Sequence, residues 1–323
     1  MMKALPFIER YRPRTLDGLI GNPEILRRLR YFAAQGNLPN ILLTGGPGLG
    51  KTTIALCLAN QMLGSNRSEA FLELNASDER NVSDIRAKVK TFAQKQVTLP
   101  AGIQKLVFLD ECDAMTEAAQ QVLRRIMDDE TGSTRFCLAC NNISKVIEPV
   151  QSRCCVLRIM PATQAELIKY LQDICEKEGV KSDTEALKEL ITISGNDIRS
   201  CLNSLQLVMD ANNKVVTVAG VQKALSTIDV KIINQVMKLL TSGKFDEGWA
   251  LIDNQLNGGY NYDDIYNAMF RYALNSDTEI NDVVRASMLR ILASLHAKSK
   301  TTVSSPLQLC RLLAELFLQL SPH

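Results

Sequence analysis

Residues 41–62 read ILLTGGPGLGKTTIALCLANQM, and this stretch decides the fold of the first part of the chain. The run ILLT is typical of a strand buried on both faces, and apolar residues at helical spacing follow the glycines. Strand, glycine-rich turn and helix match G-x-x-x-x-G-K-[ST], in which backbone N–H groups surround a polyphosphate at a helix N-terminus. In that pattern Lys51 reaches the β- and γ-phosphates, and the Thr52 hydroxyl binds Mg²⁺. A tight turn that merely needs glycines would not explain Lys51 and Thr52 at the helix start.

Strand and helix patterns alternate around this stretch. Short apolar strands separated by helices predict a mostly parallel sheet covered on both faces, because parallel crossovers place helices there. The sequence therefore predicts an α/β domain of the P-loop type over residues 1–160, and the prolines of its first segment predict an extended leader. Besides 41–44, the predicted strands are 70–74, 105–110, 136–140 and 155–159, and the predicted helices include 24–35, 82–95 and 116–128.

Beyond Pro161 the strand patterns end, and amphipathic helices follow one another. We expect a small helical domain over residues 161–227 and a second all-α domain over 228–323, in which no catalytic pattern is visible. A helical bundle without site residues is most simply explained as an assembly module. The predicted helices are 163–178, 183–194, 197–209, 217–226, 229–241, 244–257, 261–274, 281–297 and 305–320.

Composition restricts the class of protein. The formal net charge of +2 excludes a globally basic nucleic-acid-binding protein, so any DNA contact must come from a local array. Nine cysteines without a secretory segment indicate thiols in a reducing compartment. No apolar run approaches membrane-spanning length, so we expect an intracellular protein without a membrane partner.

A second motif follows the predicted strand 105–110. Asp110 and Glu111 lie at its carboxyl end, where a parallel sheet presents ligand-binding groups. Asp110 would hold Mg²⁺ through water, and Glu111 would orient and polarise the attacking water. An acidic turn is the alternative for the pair alone, but Lys51 and Thr52 upstream favour the nucleotide site.

Three further side chains remain ambiguous on spacing alone. Asn141 ends the next strand, where its amide could bridge the γ-phosphate and the water or simply form a turn. Arg153 in QSRC and Arg199 in GNDIRS could each stabilise a γ-phosphate or be ordinary surface arginines.

Cys137 and Cys140 form a C-x-x-C, a spacing found in zinc sites. Their odd separation within a buried strand sends the two side chains to opposite faces, which disfavours zinc binding.

A group of basic residues surrounds the predicted helix 82–95. Arg86 and Lys90 lie four residues apart on one face, Arg80 comes just before the helix, and Lys145 lies in another loop. They could bind phosphates of a nucleic-acid backbone, although from the spacing alone a solvated helix face is the better explanation. Nothing in the pattern suggests base readout.

Eight motifs, taken in order, resemble those of the small subunits of replication factor C, the eukaryotic sliding-clamp loader of the AAA+ class. The similarity spans nearly the whole chain and weakens over the last hundred residues. Phrases such as GNLPNILLTG and TFAQKQVTLP look closest to the subunit numbered second in human and fourth in yeast nomenclature. The motifs are IERYRP, GGPGLGKTT, LNASDER, LDECDAM, the QQVLRR helix, ACN, IEPVQSRC and GNDIRSCLN.

The resemblance implies a role for each matching residue. Asp110 and Glu111 would be the Walker B pair, Asn141 the first sensor and Arg199 the second, while Arg153 would be a finger that enters the neighbouring subunit's site. It also favours a DNA-facing role for Arg80 and Arg86. The residues expected around ATP are Ile8 and Ile20 beside the adenine, and Gly45, Gly46, Pro47, Gly48, Leu49, Gly50, Lys51, Thr52 and Thr53 around the phosphates, with Thr52 and Asp110 on Mg²⁺.

The implied function is an ATPase subunit of a nuclear heteropentamer of replication factor C subunits, which opens a PCNA-type clamp and loads it onto primer–template DNA. An isolated chain should hydrolyse ATP poorly. The sequence departs from the family at Phe7, Cys112 and Asn81, where tryptophan, alanine and glycine are usual; only Asn81 affects an expected DNA-facing loop. The alternatives are an ATP-binding scaffold, a small-molecule phosphotransferase and another AAA+ DNA-processing motor or loader.

Overall fold

The computed structural model of the chain describes residues 5–77, 82–100, 102–130, 132–212, 214–225, 228, 230–274, 281–299 and 306–320. The chain is divided into two units, Met1–Val221 and Gln222–His323. The finer division of the first part into domains over 1–160 and 161–227 stays a prediction.

A five-stranded sheet forms the centre of the first unit. Its strands lie in the order β2-β3-β4-β1-β5, and every neighbouring pair is parallel. This confirms the predicted parallel sheet, with strand ends shifted by at most two residues. The strands are β1 (Ile41–Thr44), β2 (Phe71–Asn75), β3 (Lys105–Asp110), β4 (Thr134–Cys140) and β5 (Cys155–Arg158).

Helices cover both faces of this sheet because successive strand residues point to opposite sides. On β1, Ile41 and Leu43 belong to one hydrophobic cluster, while Leu42 belongs to the other. The first cluster includes residues of α2 and α3, and the second includes residues of α5, α6 and α7. The helices are α1 (Phe7–Arg10), α2 (Pro23–Gln35), α3 (Lys51–Leu63), α4 (Arg67–Ala70), α5 (Val82–Gln94), α6 (Glu117–Asp129) and α7 (Glu148–Gln151).

The leader is not fully extended as expected. Phe7–Arg10 forms one helical turn, with Pro6 at its N-cap position, where a missing N–H group costs nothing. The Phe7 side chain is buried, and its backbone N–H donates to Gln206 Oε1 at 3.0 Å.

Lys105, the first residue of β3, is buried, and its ammonium group makes three hydrogen bonds. Its Nζ donates to the carbonyl oxygens of Phe92 at 3.2 Å and Lys95 at 2.9 Å, and also to that of Ala93. These carbonyls lie in and just beyond the last turn of α5, where backbone acceptors lack helical partners. The ammonium group therefore caps the C-terminal end of α5.

The remainder of the first unit is mainly helical, but the prediction that strands end at Pro161 is wrong. Two short parallel strands, β6 (Lys181–Ser182) and β7 (Val215–Val216), pair with each other. A two-residue strand is too short for an alternating pattern to be visible in the sequence. The helices are α8 (Gln164–Glu178), α9 (Thr184–Ile193), α10 (Ile198–Ala211) and α11 (Val218–Ala224).

The second unit contains five helices in the described part of the chain, as expected from its hydrophobic periodicity. Their apolar faces form one cluster in which Ile233, Ile265, Leu292 and Leu312 are fully buried. Across the described residues, none of the helices has the length and apolarity needed to cross a bilayer. The helices are α12 (Val230–Thr241), α13 (Phe245–Asn257), α14 (Tyr262–Leu274), α15 (Asp282–Ser299) and α16 (Pro306–Leu320).

Candidate nucleotide-binding site

The phosphate loop, residues 45–50, joins β1 to α3, and at two positions it has no room for a side chain. A Cβ atom on Gly45 would lie 2.6 Å from the Ile159 carbonyl oxygen. Gly48 has φ +69°, and a Cβ atom there would lie 1.9 Å from Asp197 Oδ1. Glycine is therefore required at Gly45 by close approach to a backbone atom, and at Gly48 by its left-handed conformation, where a side chain would also have to displace the Asp197 carboxylate.

Lys51 opens α3 and is only 8% exposed. Its Nζ donates to the carbonyl oxygens of Gly45 at 2.8 Å and Gly46 at 2.7 Å, and to Asn141 Oδ1 at 2.7 Å. Burial lowers the pKa of Lys51, and the negative charge of Asp110 opposes this effect. The ammonium group is thus held at the mouth of the phosphate loop, in direct contact with Asn141.

The carboxylate of Asp110 lies at the end of β3 and accepts two hydrogen bonds. The Thr52 hydroxyl donates to Oδ2 at 2.5 Å, and the backbone N–H of Glu111 donates to Oδ1 at 2.9 Å. Glu111 itself has a left-handed backbone with φ 53° and ψ 40°, which is uncommon for a residue other than glycine. Such conformations cost about 1–3 kcal/mol and are concentrated at functional sites.

A cavity of about 450 Å³ brings these side chains together. This volume is within the usual range for small-molecule sites. It is lined by the leader, here defined as residues 7–14, by the phosphate loop with the start of α3, by residues at the ends of β3 and β4, and by residues of α8 and α10. The lining residues are Ile8, Glu9, Tyr11, Arg12, Pro13, Pro47, Gly48, Gly50, Lys51, Thr52, Thr53, Asp110, Glu111, Asn141, Tyr170, Ile198, Arg199 and Leu202.

The other residues expected around the nucleotide line two adjoining spaces. Ile20 lines a small cavity of about 60 Å³ together with Gly50 and Thr53, next to the larger one. Gly45, Gly46 and Leu49 line an open groove of about 540 Å³, shared with Pro47 and Asn141.

The two ambiguous arginines occupy different places. Arg199 lies in the first turn of α10, lines the cavity, and has no hydrogen-bond or ion-pair partner in the described part of the chain. Arg153 is not among the residues that line the cavity. Its Nε and Nη2 donate to the two carboxylate oxygens of Asp128 at 2.6 and 3.0 Å, and Nη1 donates to the Pro149 carbonyl oxygen at 2.8 Å. This ion pair holds the pKa of Asp128 below its usual value.

The expected DNA-binding residues are described in part. Arg80 and Asn81 lie outside the described residues, and Arg86 lies in α5 without a described side chain. Lys90 on α5 and Lys145 after β4 are both exposed.

Two cysteines are direct neighbours of site residues in the sequence: Cys112 follows Glu111, and Cys140 precedes Asn141. Cys137 and Cys140 belong to the clusters on opposite faces of the sheet, as their spacing predicts. Cys140 instead contacts Cys112: a hydrogen bond between the two thiols lowers the pKa of Cys140 and raises that of Cys112. Among the described residues, no cluster of three or more histidine, cysteine or acidic side chains could hold a metal ion.

Sequence reasoning missed several residues of the cavity. Tyr170 of α8 belongs to no pattern that predicts a ligand. Leu202 of α10 and Asp197, which packs over Gly48, lie within the GNDIRSCLN motif, but only Arg199 was singled out there. Tyr11 lies within the IERYRP motif, which was the one available signal for it.

Two protein-family models match the chain. Residues 41–161 match the ATPase family associated with various cellular activities, and residues 228–315 match the replication factor C C-terminal domain. The first match covers the phosphate loop, the acidic pair and Asn141, and the second lies in the second unit.

Relatives of known name match almost the whole chain. The probable replication factor C subunit 2 of Dictyostelium discoideum is 38% identical over 314 residues, covering 97% of this chain and 92% of that protein. Replication factor C subunit 4 of Schizosaccharomyces pombe is 38% identical, covering 97% and 91%, and subunit 4 of Saccharomyces cerevisiae is 38% identical, covering 97% and 95%. Their numbering confirms the predicted resemblance to subunits two and four.

Solved structures of more distant sequence share the fold. The Thermotoga maritima RuvB Holliday junction branch migration motor is 19% identical, with a TM-score of 0.57 over 71% of this chain and 79% of that one. At this identity the likeness supports the AAA+ fold alone. The near-complete matches at 38% identity decide the family: the chain belongs to the replication factor C small subunits, a family of AAA+ ATPases.

Proposed function

We propose that this chain is an ATPase subunit of a clamp loader, a heteropentamer of replication factor C subunits. ATP binding would favour an assembly that opens a PCNA-type sliding clamp and fits primer–template DNA, and hydrolysis would release both during DNA replication and repair in the nucleus. One observation supports the proposal most strongly: Lys51, Thr52, Asp110, Glu111, Asn141 and Arg199 line one cavity, and Arg153 is not among its lining residues.

The residues of the cavity suit ATP binding and hydrolysis. Lys51, already held by three oxygen acceptors, would exchange them for β- and γ-phosphate oxygens. Glu111 would orient the attacking water, and Asn141 and Arg199 would contact the γ-phosphate from two further sides. Phosphoryl transfer depends mainly on such positioning and charge stabilisation. Ile8 and Ile20, which line the larger and the smaller cavity, would contact the adenine.

Thr52 and Asp110 fit a magnesium site. Their oxygen atoms meet at 2.5 Å beside the Lys51 ammonium group, and Mg²⁺ prefers hydroxyl, carboxylate and water oxygens. When bound, the metal ion would neutralise charge on the phosphates.

Arg153 is suited to act in a neighbouring subunit's site. Its contacts with Asp128 and Pro149 use three of its five N–H groups, leaving one on each Nη in the described part of the chain. An edge of this kind matches phosphate oxygens, and an arginine supplied in trans can accelerate hydrolysis by about a thousandfold or more.

The remaining parts of the chain would serve assembly and DNA contact. We propose a domain over residues 1–160 that binds ATP, a lid over 161–227 and a collar over 228–323 that joins the subunits. Exposed Lys90 and Lys145, with Arg80 and Arg86, would contact the phosphate backbone of the duplex.

Clamp loading by a reconstituted complex tests the proposal. With ATP, the complex that contains the wild-type chain should place clamps on primer–template DNA. Glu111→Gln should still bind ATP but lose turnover at this site, because only the water-activating carboxylate is removed. Glu117→Gln, at the exposed start of α6, is the matched control and should behave as wild type.

A complex that loads no clamps would contradict the proposal. Unchanged single-site turnover in Glu111→Gln, measured with the other sites inactivated, would instead favour an ATP-binding scaffold.

A further inference from the structure

The leader is attached to the molecule at both of its ends. At its C-terminal end, the Pro13 carbonyl oxygen accepts from Cys57 Sγ at 3.2 Å, and that of Arg14 accepts from Asn60 Nδ2 at 3.0 Å; both donors lie on α3. At its N-terminal end, Phe7 is hydrogen-bonded to α10, as described above. The leader therefore spans the distance between the phosphate-loop helix and the later helices α8 and α10.

Glu178, the last residue of α8, is the principal charged contact at the N-terminal end. Its Oε1 accepts from Arg10 Nη1 at 2.6 Å and also from the Tyr11 hydroxyl. These two donors hold the pKa of Glu178 below its usual value, the Tyr11 hydrogen bond having the larger effect. The carboxylate is therefore ionised at neutral pH, and hydrogen bonds to an ionised acceptor are about twice as strong as neutral ones.

The two donors belong to a packed group. The Phe7 and Tyr11 rings meet edge to face with centroids 5.4 Å apart, and the Arg10 guanidinium lies 5.4 Å from the Phe7 centroid. The Tyr11 carbonyl oxygen also accepts from the Tyr170 hydroxyl at 3.2 Å. Residues 7, 10 and 11 thus face α8 and α10, and Glu178 holds two of them.

The residues between these attachments form one wall of the cavity. Ile8, Glu9, Tyr11, Arg12 and Pro13 all line it, whereas Glu178 does not. A short segment whose side chains are ordered in advance binds a ligand more tightly, because the ordering cost is not incurred on binding. Loss of the Glu178 contact would remove part of this prior ordering, because Arg10 and the Tyr11 hydroxyl would lose their shared acceptor, and nucleotide binding would then bear that ordering cost.

We propose that Glu178 is a positioning residue for nucleotide binding, which fixes the leader against α8 so that it forms the wall of the cavity. The inference rests on the assignment of that cavity to ATP. Ile8 of the leader is the residue proposed to contact the adenine, so we expect Glu178 to act on the nucleoside end of the ligand and not on the phosphate end.

Equilibrium binding to the purified full chain tests this role. Glu178→Ala should raise the Kd for Mg-ATP about fivefold to tenfold and leave the Kd for inorganic triphosphate unchanged. Glu178→Gln should have a smaller effect, because the amide oxygen still accepts from Tyr11 while the charge opposite Arg10 is lost. Glu176→Ala, an exposed glutamate on the same helix, is the control and should bind both ligands as wild type does.

A double-mutant cycle adds a readout that general destabilisation would not change. Tyr11→Phe removes only the hydroxyl that contacts Glu178, so it should weaken ATP binding in the wild-type background and have no further effect beside Glu178→Ala. If Glu178→Ala does not fold, the same cycle with Glu178→Gln should show reduced but non-zero coupling.

Two results would overturn the inference. One is the same ATP affinity in Glu178→Ala and Glu176→Ala; the other is an equal loss of ATP and triphosphate binding. Failure of the wild-type chain to bind Mg-ATP would instead contradict the nucleotide assignment, so the two failures are distinguishable.

Discussion

Gly45 and Gly46 are adjacent in the phosphate loop, yet an added Cβ atom would meet different surroundings at the two positions. At Gly45 it would lie 2.6 Å from a backbone oxygen, while at Gly46 the nearest atom is a Leu49 methyl carbon at 3.8 Å. Gly45→Ala should therefore force β1 and the residue after β5 apart and destabilise the chain by about 1–3 kcal/mol. Gly46→Ala should lower the melting temperature little, if at all.

The melting temperatures of Gly45→Ala and Gly46→Ala, measured without nucleotide, test this prediction. A fall in melting temperature for Gly46→Ala as large as that for Gly45→Ala would contradict the packing of Gly45 against Ile159.

At the residue scale, the sequence predicted the residues proposed to bind the phosphates and the metal ion better than it predicted the contacts that hold the lining of the cavity in place. Lys51, Thr52, Asp110 and Glu111 follow from two motifs whose spacing reflects phosphate and metal chemistry. Contacts such as Glu178 with Tyr11 join residues 167 positions apart, and no local pattern records them.

At the scale of elements, hydrophobic periodicity predicted most of the secondary structure. Most predicted helices end within two residues of the observed bounds, because each long helix has one apolar face. The elements that the sequence did not predict are short: α1, α4 and α7 have four residues each, and β6 and β7 have two residues each. Elements of that length are set by tertiary contacts and not by sequence pattern.

Substitution of two exposed lysines tests the proposed contact of α5 and the loop after β4 with DNA. Lys90 is exposed on the helix, while Val89 is fully buried and Phe92 packs against the same core. Lys90→Ala and Lys145→Ala should each weaken binding of the assembled complex to primer–template DNA of any sequence. Each should also reduce the salt-dependence slope by about one unit, because one phosphate contact is lost.

Lys169→Ala, an exposed lysine on α8, is the control for these variants. An unchanged salt slope in both Lys90→Ala and Lys145→Ala would mean that this face is simply solvated, as the sequence alone allowed.

For the whole molecule, the important feature is that the proposed arginine finger is not among the residues that line this chain's own cavity. Arg12, Lys51 and Arg199 line it, whereas Arg153 is held against Asp128. The isolated chain should therefore bind ATP and hydrolyse it slowly, and assembly with partner subunits should raise turnover. The need for a second chain could be inferred from the family resemblance, since QSRC alone does not reveal in which subunit its arginine acts.

The most direct test is ATP turnover in a reconstituted complex in which only the site adjacent to this chain's Arg153 is left active. Arg153→Ala should reduce turnover at that site by about a thousandfold, because the γ-phosphate loses its trans positive charge. ATP binding at this chain's own phosphate loop should not change. Arg27→Ala, which removes an exposed arginine of α2, should have wild-type turnover. Unchanged turnover in the Arg153→Ala complex would contradict the account of a nucleotide shared between two chains.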